Sequence, residues 1–211
     1  MRNKLKLKPC IKVPYANQLY EGFEVLQSRA IIANVSVDKV MDIMLDFIDM
    51  HDEPLFFFLE IPSKIPEDFK GGFIDKQYKD IYYLDGCDQQ DARNILHDIG
   101  DVLCNDGLSS FGFGCLEGED EIMFDYLNLI RFIAQDIKQY EALMKKYKIE
   151  KVDDLFTVEQ VYDREHPGYF KLYERDGMSV FDIPAALEEY GMYLAEQREW
   201  LGNERARIWL K

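Results

Sequence analysis

A reactive site in this chain would have to be built from three histidines, four cysteines and a large surplus of carboxylates. Their spacing argues against a metal centre. The chain has no Cys-x-x-Cys, no His-x-x-x-His and no His-Glu-x-x-His, and the nearest grouping, Cys87, His97 and Cys104, falls on inconsistent faces of one helical stretch. Neither a metal nor a cofactor is expected. Gly-x-Ser-x-Gly is also missing, so no local signature marks a nucleophilic serine. His51-Asp52-Glu53 sets an imidazole beside two carboxylates, the composition of an acid/base pair or a hard-cation site. The same residues suit an ordinary helix end, where the dipole favours histidine and water favours the acids.

The most unusual local feature is Phe111-Gly112-Phe113-Gly114-Cys115. It lacks the third glycine, the lysine and the following helix of a phosphate loop. As a strand it puts Phe111, Phe113 and Cys115 on one face and leaves Gly112 and Gly114 bare on the other. Strand glycines mark close backbone approach. Either a packed helix or neighbouring aromatic covers them, or the bare face is a ligand platform. Directly after comes Glu117-Gly118-Glu119-Asp120-Glu121, expected to be a solvated acidic turn that can meet a basic partner.

Charge is the strongest global signal. Lys+Arg total 25 against 40 Asp+Glu, a formal net of −15. The first twelve residues are basic (Arg2, Lys4, Lys6, Lys8, Lys12), and so, mildly, is the segment 198–211; the body between them carries a net charge of −22. Such a body repels a phosphate backbone, so nucleic acid is not an expected partner. Four widely spaced cysteines in a chain of this size read as free thiols, and no stretch approaches a signal peptide or a membrane span. A cytoplasmic location without membrane contact is expected.

The elements that must position these groups follow from periodicity and capping. Residues 23–33 read as a strand, and Ser36 begins a helix bearing Val37, Val40, Met41, Met44, Phe47 and Ile48, with His51 at its end. The apolar run 55–61 is a strand of the kind covered on both faces. A looser stretch, 62–72, is the candidate boundary within an otherwise single domain spanning 1–211. Strand 79–84, a helix begun by Asp88 and closed by Asn105-Asp106-Gly107, and strand 110–116 repeat the order. The segment 122–133 alternates unevenly and reads as one long strand, with a helix as the competing reading, and Asp136 begins a helix. Thr157 and Gln160 form a capping box, 169–174 is a strand, and Asp176-Gly177 is a turn. Pro184 opens a helix with Ala185, Leu187 and Tyr190 inward, and Gly191 ends it. Residues 193–200 read as an edge strand, and 205–211 as a short helix or disorder.

The fold class is therefore α+β, a mainly antiparallel or mixed sheet with helices packed on it. The two strand–helix–strand units suggest a ferredoxin-like layout. In function, the absence of catalytic signatures and the acidic body favour a non-catalytic binding protein over an enzyme. The expected role is a bacterial-style inhibitor, such as an immunity protein, that engages a basic protein. The alternative is a small-molecule binder or enzyme with a pocket over Gly112 and Gly114 and a histidine (His51, His97 or His166) as its titrating group. Candidate binding residues are Phe111, Gly112, Phe113, Gly114, Glu117, Glu119, Asp120 and Glu121. Oligomeric state is not legible.

Overall fold

The computed structural model describes residues 2–26, 29–63, 77–163 and 165–200, and the backbone of 206–209. Its main feature is an eight-stranded antiparallel sheet. In chain order the strands are β2 (Gly22–Leu26), β3 (Ala30–Asn34), β4 (Leu55–Pro62), β5 (Gln77–Cys87), β6 (Ser110–Cys115), β7 (Glu121–Phe124), β8 (Leu129–Ile133) and β12 (Tyr193–Trp200). In space they run β12-β5-β4-β6-β7-β8-β3-β2, every neighbouring pair antiparallel. A smaller sheet joins β1 (Ile11–Lys12), β9 (Gly168–Lys171) and β13 (Ala206–Trp209), and β10 (Glu174–Arg175) pairs with β11 (Met178–Ser179). This is an α+β protein.

Helices cover one face of the large sheet. Helix α1 (Val37–Met50) buries Val40, Ile43, Met44, Phe47 and Ile48, and α2 (Gln89–Asn105) buries Ala92, Ile95, Leu96, Ile99, Val102 and Leu103. Both stripes recur at three- and four-residue steps, as an amphipathic helix on a core requires. They meet Leu55, Phe57, Leu59 and Ile61 of β4, Phe111 and Phe113 of β6, and Ile122 and Phe124 of β7 in one hydrophobic cluster. Helix α3 (Lys138–Lys146) adds Tyr140, Leu143 and Met144 to the same cluster. The short α4 (Ile183–Ala186) adds Ile183.

Both strand–helix–strand units exist and lay their strands in this one sheet, each helix crossing between parallel strands. Their spans differ. Only β4 lies between β5 and β6, whereas β6, β7 and β8 lie between β3 and β4. A ferredoxin-like order needs one intervening strand in both units, so this sheet is wider. The extra strands come from two hairpins inside segments that read as single strands. Segment 23–33 divides into β2 and β3, and 122–133 into β7 and β8. At the second turn Asp125 Oδ1 accepts from the amides of Leu127 and Leu129, both at 2.9 Å, and Asn128 takes a left-handed φ of 64°. Short polar side chains of this kind let a chain reverse without glycine.

The basic N-terminal segment is a strap sewn across several elements. Lys6 donates its amide to Ser36 Oγ (3.1 Å) and accepts from the Val37 amide (3.0 Å), so the strap and not the Ser36 side chain satisfies the start of α1. Lys8 donates its amide to Asn128 Oδ1 at 2.7 Å, and β1 then pairs with β9. A second hydrophobic cluster forms beneath the strap, built from Leu5, Ile11, Leu19, Leu108, Leu129 and Phe170 with their neighbours.

Other expectations meet the structure as follows. The capping box is present, with the Thr157 amide donating to Gln160 Oε1 at 2.7 Å before a 3-10 turn, Val158–Val161. Asp176 and Gly177 have φ of 52° and 80° and turn β10 into β11. Strand β12 is an edge strand, paired to β5. Tyr190 is 75% exposed, not inward, because α4 ends after one turn and the following 3-10 turn rotates it outward. Residues 206–209 pair in parallel with β9, so the basic tail is neither helix nor disordered there. Most of the candidate boundary 62–72 lies outside the described residues.

Asn128 fastens three elements at once, since its Nδ2 also donates to the Val35 carbonyl at 2.9 Å and its side chain is fully buried. Asn128→Ala should therefore cost about 2–4 kcal/mol, because two buried backbone groups lose their partners and the left-handed φ stays. Urea denaturation monitored by fluorescence measures it; an unchanged midpoint would remove the strap from the stability account.

Candidate functional site

The candidate site is the sheet face that the helices leave open. Side chains alternate along each strand, so with Leu55, Phe57 and Leu59 pointing to the helices, Phe56, Phe58 and Glu60 point away. Register aligns them with Asp85, Tyr83 and Ile81 of β5 on one side, and with Gly114, Gly112 and Ser110 of β6 on the other. Beyond β6 the same face carries Glu121 and Met123 of β7, and Ile133 and Arg131 of β8. The second cluster covers this face at the Leu129 end, and Phe58, Ile81 and Ser110 on the same face are also buried.

The glycines decide the shape of this surface. A Cβ on Gly112 would collide with the Ile122 carbonyl oxygen and stand 2.6 Å from Phe58 Cζ, and one on Gly114 would collide with the Phe56 ring. The rings of the two phenylalanines of β4 thus reach across the bare strand. They gather with Tyr83 into one aromatic patch, at centroid distances of 6.2 Å (Phe56–Phe58), 5.7 Å (Phe56–Tyr83) and 6.0 Å (Phe58–Tyr83). Neighbouring aromatics, the plainer of the two alternatives, occupy the space over the glycines. Beside the patch stand Tyr193, whose hydroxyl donates to Asp85 at 2.8 Å, and the exposed Ile133.

Carboxylates ring the patch. Glu60 is paired with Lys79 at 2.8 Å, Glu196 with Arg198 at 2.8 Å, and Asp125 accepts from Arg131 at 3.0 Å. Half-buried Glu121 sits on β7 opposite Gly114. Burial first, then the negative charge of Glu60, pushes its carboxyl above the usual range. The same two carboxylates help burial to raise the Tyr83 hydroxyl. A cavity of about 290 Å³ opens further along this face, lined by Glu60, Lys79, Ser110, Met123, Asp125 and Arg131 among others.

Three expected binding residues turn away from this face. Phe111 and Phe113 are fully buried beneath the helices because alternation sends them opposite to the glycines. Asp120, expected to be solvated, is only 7% exposed. It accepts the Tyr140 hydroxyl at 2.7 Å, Gln139 Nε2 at 2.8 Å and the Gln135 amide at 3.2 Å. Glu117 and Glu119 remain exposed, so the acidic turn is solvated at its tip and anchored at its base.

His51 belongs to that anchor. Its Nδ1 donates to the Phe47 carbonyl at 2.7 Å, and its Nε2 lies 2.9 Å from the Tyr140 hydroxyl and 3.4 Å from Asp120. Phe47 packs on the imidazole at 4.2 Å, and Phe132 stacks on Tyr140 at 4.6 Å. Burial and Asp120 push the Tyr140 hydroxyl far above its ordinary range, so it always has a proton to donate. Both imidazole nitrogens face protein partners and the tyrosine is fully buried, so this group is turned into the protein. The neighbouring acids expected to pair with His51 do other work: Asp52 is exposed, and Glu53 accepts the Gln89 amide at the start of α2.

The remaining titratable candidates stand apart from the open face. His97 pairs with Asp98 on the outer side of α2, and His166 with Asp163. The four cysteines are free thiols. Burial pushes Cys87 up to about 11 and Cys104 up to about 12, which keeps both protonated at neutral pH. Among the described residues no group of three or more His, Cys, Asp or Glu has metal-site geometry, and no helix is long and apolar enough to cross a membrane. The residues of this candidate face that the sequence reading missed are Phe56, Phe58, Tyr83 and Glu60. Alternation in 55–61 was the available signal, hidden because every position in the run is large.

Two substitutions test this geometry. Gly112→Ala should destabilise the fold by about 3 kcal/mol or more, since its Cβ meets backbone as well as a ring. Tyr140→Phe should cost about 1–3 kcal/mol by depriving buried Asp120 of its closest donor. Thermal unfolding measures both, and a neutral Tyr140→Phe would show that Gln139 and Gln135 suffice to hold the turn. Comparison with protein-family models, with curated proteins and with solved structures finds no match for this chain.

Proposed function

We propose that this chain is a non-catalytic protein-binding module whose open sheet face engages a basic protein, in the manner of a bacterial immunity-type inhibitor. One observation carries the reading: the sheet face turned away from the helices gathers half-buried Phe56 and Tyr83 with Phe58, itself only 3% exposed, among the carboxylates Glu60, Asp85, Glu121 and Glu196. Aromatic anchors within a charged rim are the usual anatomy of a protein contact surface. The sign of the rim, and a body of net −22, favour a cationic partner and disfavour nucleic acid. Glu121 adds a local reason. Its ionisation is opposed by burial and by Glu60, and a partner's lysine or arginine beside it would relieve both.

A second reading, small-molecule binding, is favoured by the 290 Å³ cavity on the same face. The rings of Phe56 and Phe58 take the space above Gly112 and Gly114, so this reading moves to the Ser110–Met123 side.

The test uses the protein purified from its native source with whatever accompanies it, and association rates measured at low and high salt. On-rates should fall on the order of tenfold as salt rises, and Glu60→Gln with Glu121→Gln should slow association. A salt-independent on-rate, or an acidic partner, overturns the proposal. A pH experiment on the unbound protein checks the Glu121 argument. Because its carboxyl is raised in the fold, the native state holds this proton longer than the unfolded chain, and stability falls as pH climbs between the two titrations. Glu121→Gln should match the parent in thermal stability near pH 4 and exceed it near pH 7. Equal melting at both pH values would remove the frustrated carboxylate from the case.

A further inference from the structure

Lys8 is a lysine whose charge has no outlet to water. Its side chain is 1% exposed, and its backbone is pinned by Asn128 Oδ1 at 2.7 Å and by the Ile11 amide at 3.0 Å, so it cannot withdraw to the surface. The Nζ donates to the Ser109 carbonyl at 3.3 Å and lies 4.3 Å from the centre of the Phe124 ring. Burial pushes this amine below the usual lysine range, while Asp106 and Asp125 hold it up. Protonated, Nζ carries three hydrogens; neutral, it carries two and a lone pair. One carbonyl and one ring face do not satisfy either form.

The residue that supplies the carbonyl is itself incomplete. Ser109 is fully buried, and its Oγ makes no hydrogen bond to the protein. The nearby carboxylates are already committed. Asp106 accepts the amides of Leu108 and Ser109 at 2.8 Å and that of Tyr173 at 3.0 Å. Asp125 accepts two amides and Arg131. An amine with one hydrogen-bond partner and a hydroxyl with none, both tied to Ser109 in a buried core, define a small polar site.

We propose that an ordered water molecule is bound in the core between Lys8 Nζ and Ser109 Oγ. Water is the ligand class that fits both neighbours, since it accepts from the amine and either donates to or accepts from the hydroxyl. A cation is excluded by Lys8, and an anion by the field of Asp106 and Asp125. The water makes the strap's attachment to the α2–β6 connection a bridged one, and it lets a lysine occupy a position that its neighbours would otherwise reserve for an apolar side chain.

Ser109→Ala gives a test whose sign decides. If Oγ holds the water, removing it strips the water of a partner and lowers the melting temperature by about 2–4 °C. If Oγ is an orphan, removing it relieves a buried unsatisfied hydroxyl and raises the melting temperature. A second measurement stands independently: magnetisation transfer from a long-lived water to the Lys8 side chain, recorded by NMR on the native protein. Transfer to the Lys8 methylenes, lost in Ser109→Ala, supports the site; no transfer, or a more stable Ser109→Ala, overturns it.

Discussion

The contact of Phe56 and Phe58 with Gly114 and Gly112 is the constraint around which this structure is arranged. Two side chains are missing from the centre of an eight-stranded sheet, and two rings from the adjacent strand fill the gap. On the helical side nothing is lost, because Phe57 and Phe113 meet there at 5.3 Å within the main core. The consequence appears on the other side. A sheet centre that would normally present β-branched side chains instead has the rings of Phe56 and Phe58 over its glycines, tilted 39° to each other, with Phe58 buried at 3% exposure.

The same contact explains what the sequence could and could not reveal. Bare glycines in 111–115 point to a covered strand face, and alternation correctly separates Phe111 and Phe113 from them. The cover itself comes from residues more than fifty positions earlier, in a run where large side chains occupy both parities. Periodicity cannot assign faces in such a run. The division of 23–33 into β2 and β3 and of 122–133 into β7 and β8 was missed for a related reason. Turns made by Asp125 and Asn128 carry no glycine or proline, and apolar strands on either side merge into one pattern. Where local chemistry is strong, at Asp88, Thr157 with Gln160, or Asp176-Gly177, sequence and structure agree.

His51 and Asp120 show the limit more sharply. Each was read with its sequence neighbours, as an imidazole beside Asp52 and Glu53 and as one carboxylate in a solvated run. The structure pairs them with each other and with Tyr140, across 69 and 89 positions of chain. His51 and the base of the acidic turn at Asp120 form one buried clasp, which fixes where Glu121 enters the sheet, while Glu117 and Glu119 stay exposed at the tip. A buried polar network of this kind specifies geometry more than it adds net stability, since each member must be satisfied before any gain remains.

Stability and recognition then pull in opposite directions on the open face. Glu60 and Glu196 are held by Lys79 and Arg198, whereas half-buried Glu121 weakens the free protein slightly, through desolvation and through repulsion from Glu60. Solubility alone would be served by carboxylates anywhere on the surface, including the exposed tip at Glu117 and Glu119. Glu121 is instead half-buried next to Glu60, where its charge is hardest to keep. An arrangement that costs stability in isolation and is relieved by a nearby cation fits a surface shaped for association more closely than one shaped for solubility. This asymmetry separates the open sheet face from the remaining acidic surface.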